Sequence, residues 1–262
     1  DANSEKQRIK THVLGDDAGY LSYLAEKFRD AHGGKDAPEP AKAEGAFSEW
    51  AYFHYGRWSL SARGWWIPQV AVPDGEKSDE KRGADQRNQL RWLAEQDIPF
   101  VDWQPIEHPD FPDQTVEVGG IPPFYALNPP ADQLDDLADR HARFLQELAT
   151  LLPRLDLATQ VEPLGGGLFR VTATIRNTGY LPTFAKMGAI SDQVYPPQLS
   201  IQLPEGAKLV HGSTRTALGR LEGGGGSTEH VWLVRRQGDA TAAKIKVAAP
   251  AVGQAEQEIE LK

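Results

Sequence analysis

Two hydrophobic periods divide the chain: a helical one through residue 153 and an alternating one after it. Tyr20, Leu21, Leu24 and Phe28 fall on one face of a predicted helix that starts near Asp16-Asp17 and stops at Gly33-Gly34. An acid in the first turn and a glycine past the last are ordinary helix punctuation. Ser78 to Gln96 predicts a second helix, with Ser78 as cap and Leu90, Trp92 and Leu93 late in the run. Asn128, followed by Pro129 at the first helical position, predicts the start of a third. Its stripe is Leu134, Leu137, His141, Phe144, Leu145 and Leu148, and Pro153 ends it. His141 on that stripe reads as a packed boundary residue rather than a ligand.

Beyond Pro153 the period becomes two. Phe169, Val171, Ala173 and Ile175 alternate with polar residues, and Asn177-Thr178-Gly179 turns the chain. Leu199, Ile201 and Leu203 repeat the pattern, as do Val231 with Leu233, Ile245 with Val247, and Ile259 with Leu261. This alternation puts Trp232 on the face opposite Val231 and Leu233. About seven short strands separated by turns such as Gly165-Gly166-Gly167 predict an antiparallel sandwich. The boundary falls near Arg154 to Leu157, giving segments 1–154 and 155–262.

The first segment also carries less periodic stretches. Asp36 to Glu44 reads as a loop. The block from Phe47 to Trp66 holds Trp50, Tyr52, Phe53, Tyr55, Trp58, Trp65 and Trp66, which suit either a ligand pocket or a core wall. A proline-rich insertion runs over residues 68–110, and such insertions often rim a site.

Composition narrows the chemistry. A net charge of −9 with scattered Lys and Arg offers no basic face for nucleic acid. The absence of cysteine excludes disulfides and thiolate chemistry. No apolar stretch approaches the ~18–20 residues of a membrane span. The N-terminal stretch Asp1 to Lys6 lacks a signal-peptide pattern and an initiator Met, as expected of a mature or trimmed product or a fragment. A catalytic zinc needs three protein ligands, commonly two His and a carboxylate. None of the seven histidines has a Glu or His three or four residues later, so no zinc site is expected within this chain. Nor is there a Gly-x-Ser-x-Gly elbow, and the Gly-rich runs lack the Lys-Ser/Thr ending of a phosphate loop.

One carboxylate stands out. Glu117 interrupts the apolar run Val116-Glu117-Val118-Gly119-Gly120. It is either a surface charge on an edge strand or a desolvated base aimed into a cleft, where a raised pKa suits proton transfer.

Taken in order, these segments resemble the C-terminal half of the M14 zinc carboxypeptidase fold. The resemblance rests on Gly45 leading into Glu49-Trp50-Ala51-Tyr52, then on Val116-Glu117-Val118-Gly119-Gly120, Phe124, Asn128-Pro129-Pro130 and the helix from Leu134 to Leu148. It covers roughly residues 10–153. It implies an α/β plus all-β chain: residues 1–154 as the C-terminal part of a carboxypeptidase-like α/β domain, with 155–262 as a trailing β-sandwich. It further implies that Glu117 is the general base and acid, and that Ser48, Glu49 and Tyr52 bind substrate. The family's His-x-x-Glu pair, third zinc-ligating His and carboxylate-clamping Arg all lie upstream of the matched region. Zinc is therefore expected in a full enzyme, its ligands supplied by an N-terminal segment or another chain. The implied protein is a periplasmic or secreted metallocarboxypeptidase acting on peptides, the isolated chain being inactive.

Two other readings stand beside it. One is a metal-free peptide- or sugar-binding scaffold derived from the peptidase fold, with the aromatic block holding the ligand. The other makes the sandwich a carbohydrate- or protein-binding module, for which Trp232 is the single tryptophan available.

Overall fold

A computed structural model of the chain describes residues 12–32, 45–72, 83–96, 98–122, 124–125, 127–238 and 241–262. The Gly33-Gly34 stop, the Asp36 to Glu44 loop and the Ser78 cap lie outside them. The described residues form helices followed by a sheet-rich C-terminal part, a mixed α and β chain. The elements are α1 (Gly15–His32), α2 (Phe47–Tyr55), α3 (Ala84–Glu95), β1 (Val101–Ile106), β2 (Val116–Gly120), α4 (Leu134–Leu151), β3 (Leu155–Gly165) and β4 (Leu168–Asn177). They continue as α5 (Lys186–Ser191), β5 (Gln198–Gln202), β6 (Ala207–His211), β7 (Arg215–Ala217), β8 (Ser227–Arg236), β9 (Ala242–Ala249) and β10 (Gly253–Glu260). No helix among the described residues is long and apolar enough to cross a membrane.

The chain divides into two compact units, one comprising residues 1–26, 42–61 and 145–262, the other 27–41 and 62–144. Segments of the helical half, α2 among them, thus belong to the same unit as the sandwich. In that unit two four-stranded antiparallel sheets, β10-β9-β5-β7 and β3-β4-β8-β6, enclose one core. Phe169, Val171, Ala173 and Ile175 from β4 face Leu199, Ile201, Ile245 and Val247 from the other sheet, all buried. β8 is the exception to the predicted alternation. Trp232 and Val234 are fully buried, and Val231 is 40% exposed. Both faces of His-Val-Trp-Leu-Val carry apolar residues, so period alone cannot choose; register against β4 pairs Trp232 with inward-facing Val171. The indole N–H donates to the Ser213 carbonyl at 2.8 Å. Trp232 is therefore a core residue and no surface platform for a sugar.

The second unit contains α3, the two-stranded antiparallel sheet of β1 and β2, and the first turns of α4. Every strand pairing among the described residues is antiparallel. The only sheet formed by the described residues of the segment implied to be carboxypeptidase-like α/β is the β1-β2 hairpin. Here α4 begins later than expected: a 3₁₀ turn over Ala131–Gln133 precedes Leu134. Pro129 precedes Pro130, and a residue before proline is driven out of the α region. Asn128 consequently does not cap the helix and donates instead to the Phe124 carbonyl at 3.0 Å.

Candidate functional site

α2 is built from the aromatic block. Gly45, at φ +80°, turns the chain into it, and Gly56, at φ +60°, ends it in the left-handed conformation. Gly56 is required for a second reason: a Cβ there would lie 2.0 Å from the Gly188 Cα. The helix buries one residue, Tyr52, against Ala185 and Met187. Its other face is a solvent-exposed aromatic ridge. Phe47 is 76% exposed, and the rings of Trp50 and Tyr55 meet edge to face at 4.6 Å. Around the ridge lies an open groove of about 590 Å³ lined by Gly45, Ala46, Phe47, Glu49, Trp50, Phe53 and His54. A volume of this size suits a small ligand.

The expected substrate-binding residues separate here. Glu49 lines the groove, half-buried at its wall. Ser48 is half-buried and lies outside the lining. Tyr52 is buried and faces inward, so it cannot touch a ligand in the groove. Its hydroxyl donates to Asp17 Oδ2 at 2.8 Å and accepts from the Leu14 N–H at 3.1 Å. Burial above all, and the adjacent Asp17 carboxylate, hold this phenol well above the ordinary tyrosine range against the opposing Leu14 N–H.

Asp17 is the residue that fixes this wall. Fully buried, it collects four donors: Lys186 N–H at 2.8 Å and Arg220 at 3.3 Å on Oδ1, Tyr52 at 2.8 Å and Met187 N–H at 3.2 Å on Oδ2. The two backbone N–H groups open α5, so a carboxylate distant in sequence caps that short helix. Arg220 also donates to the Phe184 carbonyl at 2.9 Å and pairs with Glu222 at 3.0 Å. Sequence reading treats Asp17 only as helix-start punctuation. The signal that finds it is its place on the apolar stripe with Tyr20, Leu21, Leu24 and Phe28, since an acid on a buried face must meet donors.

Glu117 lies in the other unit. It sits on β2, pairs in register with Pro105 of β1, and is exposed. The glycine after Val118 is required by close strand approach: a Cβ on Gly119 would meet the Trp103 Cα at 2.7 Å. Val118 and Trp103 are themselves 48% and 56% exposed, so no second layer of described residues covers this hairpin. The desolvating cleft expected around Glu117 is not formed by the described residues. Of the two readings left open by the sequence, the geometry is that of a surface carboxylate.

Zinc does not fit the described residues, which contain no group of three or more His, Asp or Glu able to hold a metal ion. A second pocket, of about 410 Å³, lies in the same unit as Glu117, with Trp92 beneath and Phe124, Tyr125 and Pro130 among its walls.

Comparison with known proteins adds the following. Residues 155–260 match a family described as a domain of unknown function (DUF8731), so the sandwich is similar to that family. No curated protein matches. Among solved structures, the GAE domain of GGA2p from Saccharomyces cerevisiae is 13% identical, covering 41% of this chain and 86% of that one at a TM-score of 0.21. Beta-glucosidase 3B from Thermotoga neapolitana, in complex with alpha-D-glucose, is 16% identical over 42% of this chain and 16% of its own, at a TM-score of 0.22. DesR, a beta-glucosidase from Streptomyces venezuelae in complex with D-glucose, is 12% identical over 41% of this chain and 15% of its own, at a TM-score of 0.20. Likenesses at this level say nothing about activity.

Proposed function

We propose that this chain is the C-terminal part of a periplasmic or secreted metallocarboxypeptidase-like protein, and that its own task there is to hold the peptide. The observation that carries the proposal is the groove along α2. The same short helix bears the Glu49-Trp50-Ala51-Tyr52 motif of the resemblance and presents an exposed aromatic ridge beside an acidic wall residue. Aromatic faces give a peptide side chain contact area at small entropic cost, and Glu49 supplies a hydrogen-bond acceptor for a backbone or side-chain N–H. Metal binding and the hydrolytic centre belong to residues beyond those described, with Glu117 as the candidate proton-transfer carboxylate contributed by this chain.

A second reading, the metal-free binding scaffold, is favoured by the exposed position of Glu117 on a two-stranded hairpin. Zinc content and hydrolysis of blocked dipeptides separate the two, measured on the chain alone and joined to an upstream His-x-x-Glu segment. The peptidase reading expects activity only in the joined protein, lost in Glu117→Gln while zinc stays bound. Full activity in that variant removes Glu117 from catalysis, and a joined protein that binds peptide without turnover or zinc selects the scaffold.

A further inference from the structure

His32, at the C-terminal end of α1, and His141, on α4, face each other in the same compact unit with His32 Nε2 and His141 Nδ1 3.1 Å apart. Each ring's other nitrogen lies against a backbone carbonyl. His32 Nδ1 is 2.8 Å from the Phe28 oxygen, and His141 Nε2 is 2.9 Å from the Gly64 oxygen. Carbonyl oxygens only accept, so both outer nitrogens must carry hydrogen. Two neutral imidazoles have two N–H groups between them, yet the three contacts need three. With the pair neutral, one contact must set lone pair against lone pair.

A third proton resolves the chain, and a metal ion does not. Among the described residues no third His, Asp or Glu stands with the pair in a group able to hold a metal ion. The groups around the pair also say which ring takes the charge. His32 is 5% exposed, stacks on Phe28 at 4.0 Å and meets Phe144 edge on. His141 is half-buried, nearer to solvent. Burial above all keeps His32 below the ordinary histidine range against the opposing Phe28 carbonyl, and the positive charges of His141 and Arg140 add smaller effects in the same direction as burial. Arg140, on α4, is itself paired with Asp136. Arg29 and Asp30 on α1, Asp139 on α4 and Arg63 beside Gly64 are, Asp139 included, exposed.

We propose that His32 and His141 hold three N–H protons between them, His141 as the imidazolium and His32 as the neutral Nδ1–H tautomer, and that this proton latches the segment around Gly64 onto α4. His141 then donates to both His32 and Gly64, and its loss of a proton on raising the pH releases one of the two contacts. Histidine is the side chain whose charge ordinarily changes between about pH 5 and 8.

The test uses the full 262-residue chain. Long-range ¹H–¹⁵N correlation of the imidazoles at acidic to neutral pH should give the doubly protonated pattern for His141 and the Nδ1–H pattern for His32. Two singly protonated rings throughout the range in which the protein is folded would overturn the proposal. The ¹³C shift of the Gly64 carbonyl should move as the pH rises from about 5.5 to 8, as the charge-assisted hydrogen bond it accepts is lost. His141→Phe keeps an aromatic ring beside Phe28 and should flatten that dependence. An unchanged dependence in a folded His141→Phe protein contradicts the latch. If the variant does not fold, the imidazole pattern of the wild-type chain still decides.

Discussion

Replacing Asp17 by Asn tests whether the buried carboxylate organises the wall behind the α2 groove. The amide is nearly isosteric, so the change leaves no cavity and reads electrostatics and hydrogen bonding alone. In either orientation Nδ2 takes the place of an oxygen that now accepts two donors. Facing Lys186 and Arg220 it opposes an N–H and a guanidinium. Facing Tyr52 and Met187 it opposes an N–H and a hydroxyl that already accepts from Leu14. The second is the milder outcome and leaves the Met187 N–H without an acceptor, at about 1–3 kcal/mol. Removing one partner of a buried charge pair costs about 3–5 kcal/mol. Arg220 keeps Glu222 and the Phe184 carbonyl, so the lower end applies. The expected total is roughly 4–6 kcal/mol, or about 8–24 °C in Tm at 2–4 °C per kcal/mol. Urea and thermal unfolding followed by tryptophan fluorescence measure it. A loss below about 0.5 kcal/mol, the size of an ordinary surface substitution, would refute the assignment.

Further substitutions probe other parts of the unit. Gly56→Ala should cost about 3 kcal/mol, since it combines a left-handed backbone with a Cβ driven into Gly188; calorimetry on the pure variant checks this. Asn177→Asp should cost about 3 kcal/mol or more, because its buried Nδ2 donates to the Leu181 and Glu222 carbonyls, which would then face an anion. Denaturant midpoints read that loss. The raised pKa of Tyr52 has a pH consequence with a definite sign. A group held protonated in the fold stabilises it fully below its unfolded pKa, about 10 for tyrosine. That contribution is lost as pH rises above this value towards the folded pKa. Stability of the wild-type chain should therefore fall more steeply above about pH 10 than that of Tyr52→Phe, and equal slopes would show that the phenol is not perturbed.

Much of the fold is legible in the sequence because strand alternation carries it. Phe169 to Ile175, Leu199 with Ile201, Ile245 with Val247, and Ile259 with Leu261 all face inward as their period requires. β8 is misread because both its faces are apolar, and only pairing against β4 distinguishes them. The start of α4 is misread because Asn128 and Pro129 resemble a cap when Pro130 is overlooked. The candidate site is less legible still. Motif order draws attention to α2, but sequence cannot tell that Tyr52 turns inward to Asp17 while Trp50 turns outward. That choice depends on the partners of Asp17, which lie 169 to 203 residues from it in sequence: Lys186, Met187 and Arg220. Glu117 illustrates the converse: an acid between valines reads as buried only if a second layer covers the strand, and none among the described residues does.

The central claim is that the α2 groove holds a peptide. The most direct measurement is amide chemical-shift mapping of the labelled chain during titration with a blocked dipeptide bearing a free C-terminal carboxylate. The account predicts saturable shifts concentrated on Gly45 to His54, abolished in Trp50→Ala while the sandwich resonances stay in place. Shifts confined to other residues, or none at concentrations up to about 10 mM, well above weak millimolar binding, would contradict it.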